Sequence, residues 1–256
     1  MHRKQVSVVI PIYKEQLTVL ELTSLRQCIT VLKNYHFTFF CPLTLNTKSY
    51  EILCDQKISY TIERFASKYF DDINGYNKLM LSPHFYKKFI GFRYILVHQL
   101  DAFIFSDQLT YWCKKNYDYI GAPNTPHLNQ PGEIQFLKNY SNFLRLLRIK
   151  RKISNVGNGG LSLRKTRSCY LLVTLFYFAV KKWENNNEDG FFKYWGNLLY
   201  PIFKLPKDET AVRFAIELEP KKTLKKLNNT LPFGCHAFEK YEWETWKPFI
   251  EKSQAT

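Results

Sequence analysis

No two of the six cysteines stand in a C-x-x-C pair; Cys28, Cys41, Cys54, Cys113, Cys169 and Cys235 are scattered along the chain. That argues against a zinc ribbon or a dithiol redox motif. Their apolar neighbours, as in Tyr111-Trp112-Cys113 and Cys169-Tyr170-Leu171, suit buried free thiols in a reducing compartment. Glycine is sparse at 10 residues, and no glycine-rich stretch ends in the GKS/T of a phosphate-binding loop. The longest apolar run, Cys169 to Val180, falls short of the ~20 residues needed to span a bilayer and reads as a buried helix. Met1-His2-Arg3-Lys4-Gln5 lacks the apolar core and cleavage site of a secretory signal. The sequons at Asn139 and Asn228 therefore read as chance. Neither internal repeats nor a low-complexity linker divide the chain, so one α/β domain is expected over 1–256.

Acidic residues are also few, 22 against 37 Lys and Arg, for a formal net charge of +15. Such a balance points to a polyanionic partner: nucleic acid, an acidic membrane surface or a phosphorylated substrate. An AT-rich genome, which favours Lys, Asn, Ile, Tyr and Phe, yields the same composition. Apolar residues make up 45% and aromatics 17%, which is the make-up of a globular chain and not of a disordered one.

Val6 to Ile12 (VSVVIPI) is a continuous β-branched run, the mark of a strand covered on both faces. Thr18 to Leu32 has helical spacing, and His36 to Pro42 is a second buried strand. Strand, helix and strand within about 40 residues imply a parallel βαβ unit. Tyr60 to Phe65 predicts a third strand, and Asn77 to Phe89 a helix bent or broken at Pro83. Tyr94 to Phe105 (YILVHQLDAFIF) predicts a central strand interrupted by polar residues. Asp107 to Lys115 predicts a short helix, Tyr117 to Ala122 a strand, and Asn124 to Glu133 a loop. After them come a glycine-punctuated turn into a strand (Val156 to Arg164) and a helix (Lys165 to Trp183). An acidic stretch ENNNEDG, an aromatic helix (Phe191 to Tyr200) and a further helix near Thr210 to Ile216 complete the pattern. The chain closes on a basic stretch, Lys221 to Lys226, then LPFGCH and an aromatic tail.

Open α/β sheets place their chemistry at the carboxyl ends of strands, which is where Gln99 and Asp101 fall. A carboxylate there can hold a divalent cation that also holds a diphosphate; the plainer role is a cap on the next turn. In Val156 to Arg164 (VGNGGLSLR), three glycines in four residues allow left-handed backbone or close approach to a ligand, or simply a tight turn. Glu188 and Asp189 precede a helix, where its dipole favours acids; the sharper reading is a general base. His236, after Pro232-Phe233-Gly234-Cys235, is a suitable partner for a carboxylate at a metal.

In their order along the chain these elements resemble the GT-A class of glycosyltransferases. More narrowly, YILVHQLDAFIF, DYIGAP, NVGNGGLSLR, NEDGFF and LPFGCHAF resemble the bacterial DUF5672 family of glycosyltransferases, from about Val6 to Trp243. The resemblance implies a GT-A-like fold with a central, mostly parallel sheet flanked by helices. It implies a Mn²⁺ or Mg²⁺ ion held by Asp101 and His236, and Gln99 standing where the class has its first Asp. Asp189 would be the base of an inverting enzyme and Glu188 an acceptor support, with Gly159 and Gly160 lining the acceptor site. Pro11, Ile12, Tyr13, Asn77 and Lys78 would contact the nucleotide of a nucleotide-sugar donor, UDP by class frequency. The acceptor would be a bacterial surface glycan on a lipid carrier, of the lipopolysaccharide O-antigen or capsule kind. No nucleic acid is expected on this reading. The protein would be cytoplasmic, at most peripheral on the inner face of the membrane. Two other classes fit parts of the sequence. A nucleic-acid-binding protein explains the basic clusters Arg145 to Lys152 and Lys221 to Lys226, and a nucleotidyltransferase suits the α/β pattern. The first leaves the acidic pair unexplained, and the second lacks a glycine after the first strand.

Phe136 to Lys152 (FLKNYSNFLRLLRIKRK) reads as a basic amphipathic helix able to lie on an anionic membrane, each basic residue adding about 1 kcal/mol. The ordinary alternative is a surface helix packed on the core. Co-sedimentation with vesicles should therefore require anionic lipid, and replacing Arg145, Arg148, Arg151 and Lys152 by Gln should release the protein. Equal binding to neutral vesicles would remove the membrane from consideration.

Overall fold

The computed structural model describes residues 4–124, 140, 142–146, 153–183 and 187–254. Its centre is a six-stranded sheet built from β1 (Lys4–Pro11), β2 (His36–Pro42), β3 (Ser59–Phe65), β4 (Phe92–His98), β6 (Tyr119–Ile120) and β7 (Leu161–Lys165). The strand order is β3-β2-β1-β4-β7-β6. The first four strands pair in parallel, while β7 runs antiparallel to both β4 and β6. In β1 the period of two explains the unbroken apolar run. Val6, Val8 and Ile10 enter the core on one face and Val9 the core on the other, so both faces must be covered by helices. Against the first face lie α1 (Val19–Val31), α2 (Lys48–Cys54) and α5 (Leu109–Lys114). Against the second lie α3 (Ile73–Met80), α4 (Pro83–Lys88), α6 (Thr166–Leu175) and α8 (Glu188–Leu198). Among the described residues no helix is long and apolar enough to cross a membrane.

Helix starts follow local chemistry. Thr18 caps α1 in a capping box, with Glu21 N donating to its Oγ1 and Thr18 N donating to Glu21 Oε2. This satisfies two backbone donors that the first turn would leave bare. Pro83 separates α3 from α4: it occupies the first turn of α4, where a missing N–H costs nothing, behind the Ser82 cap. The single helix expected over Lys165 to Trp183 is two, α6 and α7 (Tyr177–Lys182), divided at Phe176, whose ring packs tilted on Trp195 with the ring centres 4.3 Å apart.

The run YILVHQLDAFIF is not one strand. It divides into β4 and β5 (Ala102–Ile104), and β5 belongs to a second sheet with β8 (Ala215–Ile216) and β9 (Gly234–His236), in the order β5-β9-β8. The turn between β4 and β5 holds Gln99, Leu100 and Asp101. Buried polar side chains of α1 serve this junction, Ser24 Oγ donating to Ala102 O and Gln27 Nε2 to Ile104 O at 3.1 Å. Thr210 to Ile216 is α9 (Asp208–Phe214) followed by β8, and α10 (Pro220–Lys226) carries the late basic stretch. The aromatic tail forms α11 (Trp243–Gln254), whose Trp246 and Ile250 pack on the second sheet. All six cysteines are free and buried. Residues 136–139, 141 and 147–152 of the basic segment, and 125–133 of the expected loop, lie outside the described residues; 142–146 are helical, with Phe143 and Leu146 exposed.

One buried charge pair ties the last two layers together. Arg164 in β7 has no exposed side-chain surface, and its Nη2 lies 2.7 Å from Glu188 Oε1 at the start of α8. The guanidinium also donates to Ser162 Oγ at 3.0 Å, Tyr86 Oη at 3.0 Å and the Gly159 carbonyl at 3.2 Å. The rings of Tyr119 and Phe192 lie 5.1 and 5.4 Å from it. Burial lifts the Glu188 carboxyl above its ordinary value, against the pull of Arg164. Removing one member of such a pair costs about 3–5 kcal/mol, because the other charge stays buried. Arg164→Met should lower the unfolding free energy in urea by about that amount, and Arg164→Met with Glu188→Leu should recover part of it. A single-variant loss below ~1 kcal/mol would show that the pair does not hold these layers.

Candidate active site

Two adjoining cavities open at the carboxyl end of β1 and β4. The larger, ≈ 570 Å³, is lined by Pro11, Tyr13, Tyr69, Asp72, Asp101 and Lys240, among others. The smaller, ≈ 300 Å³, is lined by Asn77, Asn158, Gly159, Gly160, Glu188 and Asp189, with Glu217, His236 and Tyr241. Ile73, Tyr76 and Gln99 line both and form the wall at which they meet.

The β5–β9 register sets His236 opposite Ala102, and so beside Asp101. His236 Nε2 is 3.2 Å from Asp101 Oδ1 and 3.2 Å from Gln99 Oε1, while Nδ1 is 3.2 Å from Glu217 Oε1. Burial alone would depress this imidazole, but hydrogen bonds and charge from Asp101 and Glu217 raise its pKa to about 9. Burial likewise opposes the Asp101 carboxylate, yet His236 holds it below its ordinary value. The neighbouring His98 is fully buried, and burial brings it down to about 4, so it is a neutral ring.

The glycine-rich loop is pressed against these groups. Gln99 N donates to Gly160 O at 2.8 Å. A Cβ on Gly160 would strike His236 and stand 2.6 Å from Gln99 Oε1, and one on Gly159 would strike Glu188 Oε1. Close approach, and not left-handed backbone, is what these glycines supply: no described glycine has positive φ. The left-handed residue of the loop is Asn158, at φ 62°. Its side chain accepts from Gly160 N at 3.0 Å, and its own N donates to Asp189 Oδ2 at 2.7 Å. The start of the loop is pinned as well: Ser154 N donates to Asn197 at 3.0 Å, and Asn155 N and Nδ2 donate to Asp208 at 2.8 and 2.7 Å.

Gln99, Asp101, Gly159, Gly160, Glu188, Asp189 and His236 are thus brought together around one site. Asn77 joins them, its Oδ1 accepting from Glu188 N at 3.3 Å. Pro11 and Tyr13 line the larger cavity, whereas Ile12 is packed in the core and lines neither cavity. Lys78 sits on the exposed side of α3 and lines neither cavity. The two acids differ in setting: Glu188 is buried in its ion pair, and Asp189 is half-buried. Glu217 is a site residue that sequence reasoning missed, because the two-residue strand before it has no readable period. Arg164 had a signal, since a guanidinium inside an apolar strand demands a partner.

The donor set suits a hard divalent cation. Asp101 and Gln99 supply oxygen and His236 an imidazole nitrogen, with Glu217 on the far nitrogen as metal-bound histidines commonly arrange it. Among the described residues no three His, Cys, Asp or Glu side chains converge on one point. A cation held by Asp101, Gln99 and His236 would complete its shell with phosphate oxygens and water, as is usual for Mg²⁺ with a phosphate ligand.

Residues 59–236 match the model of the family described as Protein of unknown function (DUF5672). Among curated proteins no sequence matches. Core-mannan synthase A of Aspergillus fumigatus, in its Mn/GDP form, superposes with a TM-score of 0.52 at 9% identity, over 74% of this chain and 68% of that one. Mouse xyloside xylosyltransferase 1 gives 0.53 at 11%, over 91% and 96%. The glycosyltransferase GlyE of Streptococcus pneumoniae TIGR4 gives 0.53 at 9%, over 96% of this chain and 60% of that one. At such identities the likeness is one of fold. The chain belongs to the DUF5672 family, and its fold is the GT-A-like fold of nucleotide-diphospho-sugar transferases.

Proposed function

We propose that the protein transfers a glycosyl group from a nucleoside diphosphate-sugar to an acceptor hydroxyl. The observation that carries this reading is the meeting of two cavities at Gln99, with Asp101 in the larger one and His236 and Asp189 in the smaller. The donor occupies the larger cavity, its nucleotide toward Pro11 and Tyr13 and its diphosphate toward Asp101. The acceptor occupies the smaller. Asp101 and His236 would hold Mn²⁺ or Mg²⁺, which supplies charge neutralisation to the departing diphosphate. Asp189 takes the proton of the attacking hydroxyl, oriented by the Asn158 N–H at 2.7 Å. Glu188, committed to Arg164, holds the loop and the acceptor side. Attack opposite the leaving group inverts the anomeric centre. UDP and GDP are the nucleotides to test, the second because the fungal neighbour was solved with it. A glycan carried on a lipid at an anionic membrane would complete the reaction in the cell.

Asp189→Asn should lower turnover by ~10²–10⁴-fold, the usual contribution of a positioned base, with donor affinity nearly unchanged. Wild-type turnover in that variant, with Glu188→Gln folded but inactive, would exchange the two roles. Asp101→Asn and His236→Ala should each abolish the Mn²⁺-dependent part of nucleotide binding in calorimetry, in variants that circular dichroism shows to be folded. Retained Mn²⁺ dependence would remove these two residues from the metal.

A further inference from the structure

Three residues lining the smaller cavity carry a buried polar atom with no hydrogen-bond partner: Tyr76 Oη, on the wall shared with the larger cavity, and Asn158 Nδ2 and Glu188 Oε2. Asn158 and Glu188 are both more than nine-tenths buried, at 5% and 2% exposure. They flank Gly159, whose missing side chain lets Glu188 Oε1 lie against the backbone. The rest of each side chain is committed. Asn158 Oδ1 accepts from Gly160 N at 3.0 Å, and Glu188 Oε1 meets Arg164 at 2.7 Å. The remaining pair is one N–H donor and one carboxylate acceptor, next to the base Asp189.

That pairing is chemically selective. A hydroxyl donates one proton and accepts through its lone pairs, so it satisfies both atoms at once. A carboxylate or phosphate oxygen would satisfy Asn158 but be repelled by Glu188. An ammonium would satisfy Glu188 and leave Asn158 bare. The wider lining agrees: among the described residues it offers Glu188, Asp189 and Glu217 and the amides of Asn77, Gln99, Asn124, Asn158 and Asn187, no Lys or Arg, and His236 as its one cation, which faces Asp101 and Glu217. A net charge of +15 is therefore not expressed here.

Resting on the glycosyl-transfer reading, we infer that Asn158 and Glu188 form a hydroxyl-reading slot, and that the acceptor is an uncharged sugar held through a hydroxyl adjacent to the one that attacks. Uronic acids and sugar phosphates are rejected at this position. Any lipid phosphate of a carrier lies outside the smaller cavity.

Saturation-transfer NMR on the full chain tests this, with and without Mn²⁺ and UDP or GDP. The probes are methyl glycosides of glucose, galactose, mannose and N-acetylglucosamine, their uronate, phosphate and amino counterparts, and monodeoxy analogues. A neutral glycoside should bind, its charged counterparts at least tenfold more weakly. One monodeoxy analogue should lose about ten- to a hundredfold, the range for a hydrogen bond to a charged group. Asn158→Asp keeps the acceptor for Gly160 N and tolerates the left-handed backbone, but turns the slot into two acceptors. It should lose the neutral sugar and gain the amino sugar. If that variant does not fold, the deoxy series on the unaltered protein decides alone. Equal or tighter binding of a uronate or phosphate, indifference to every deoxy position, or nucleotide binding with no sugar binding would each overturn the slot. Failure of UDP and GDP to bind while sugars follow the predicted ranking would instead overturn the donor reading and leave the slot standing.

Discussion

A guanidinium with no exposed surface must have its charge met from within the protein, and at Arg164 the groups that meet it are those from which the site is built. Its carboxylate partner opens α8 and so places Asp189 one residue later. Its bond to the Gly159 carbonyl fixes the loop that faces Gln99 and His236. Its contact with Tyr86 joins α4 to the same point. Helix, loop and strand are thus oriented by one charge. Because a buried ion pair is weak evidence for net stability, its value here is geometric: every alternative placement of α8 or the loop leaves a charge buried and unpaired.

The loop itself works by nearness. Its glycines have ordinary backbone angles, and what they omit is the Cβ that would strike Glu188 or His236. The one strained position is Asn158, a residue that tolerates left-handed backbone better than most because its short polar side chain can bond locally; here it does so to Gly160 N. The same residue reaches Asp189 through its backbone and the cavity through its side chain. Backbone conformation, the placement of Asp189 and the lining of the smaller cavity are therefore coupled in one asparagine, and a change at any of them is felt by the others.

The sheet was readable because β1, β2 and β4 are buried on both faces, and burial on both faces writes itself as a continuous β-branched run. Gln99 and Asp101 were readable from their place after such a run. What could not be read was that β4 and β5 enter different sheets, since periodicity shows burial but not the partner strand. The join between the sheets depends on Ala102 pairing with His236, a contact 134 residues apart that no local signal announces. Glu217 and the short strands β8 and β9 were hidden for the same reason: two- and three-residue strands carry no period. Asn158 was seen only as part of a glycine-rich turn, because the residue that bends the loop is not one of the glycines.

Net charge does not locate the site. Excess Lys and Arg pointed to a polyanionic partner, and the described walls of the two cavities are nevertheless acidic. The larger holds Glu21, Asp71, Asp72, Asp101 and Glu239 against Lys240, and the smaller holds Glu188, Asp189 and Glu217 with His236. Glu21 is offset by Lys14 at 2.7 Å, and Glu188 by Arg164; the others still outnumber the cations beside them. A diphosphate brought among these carboxylates would be repelled unless positive charge came with it, and the proton on His236 supplies only one unit. A divalent cation on Asp101, Gln99 and His236 supplies two, and lets the same carboxylates that repel a bare diphosphate attract its metal complex. The acidity of the site would thus make donor binding depend on a metal, and among the described Lys and Arg residues only Lys240 lines either cavity.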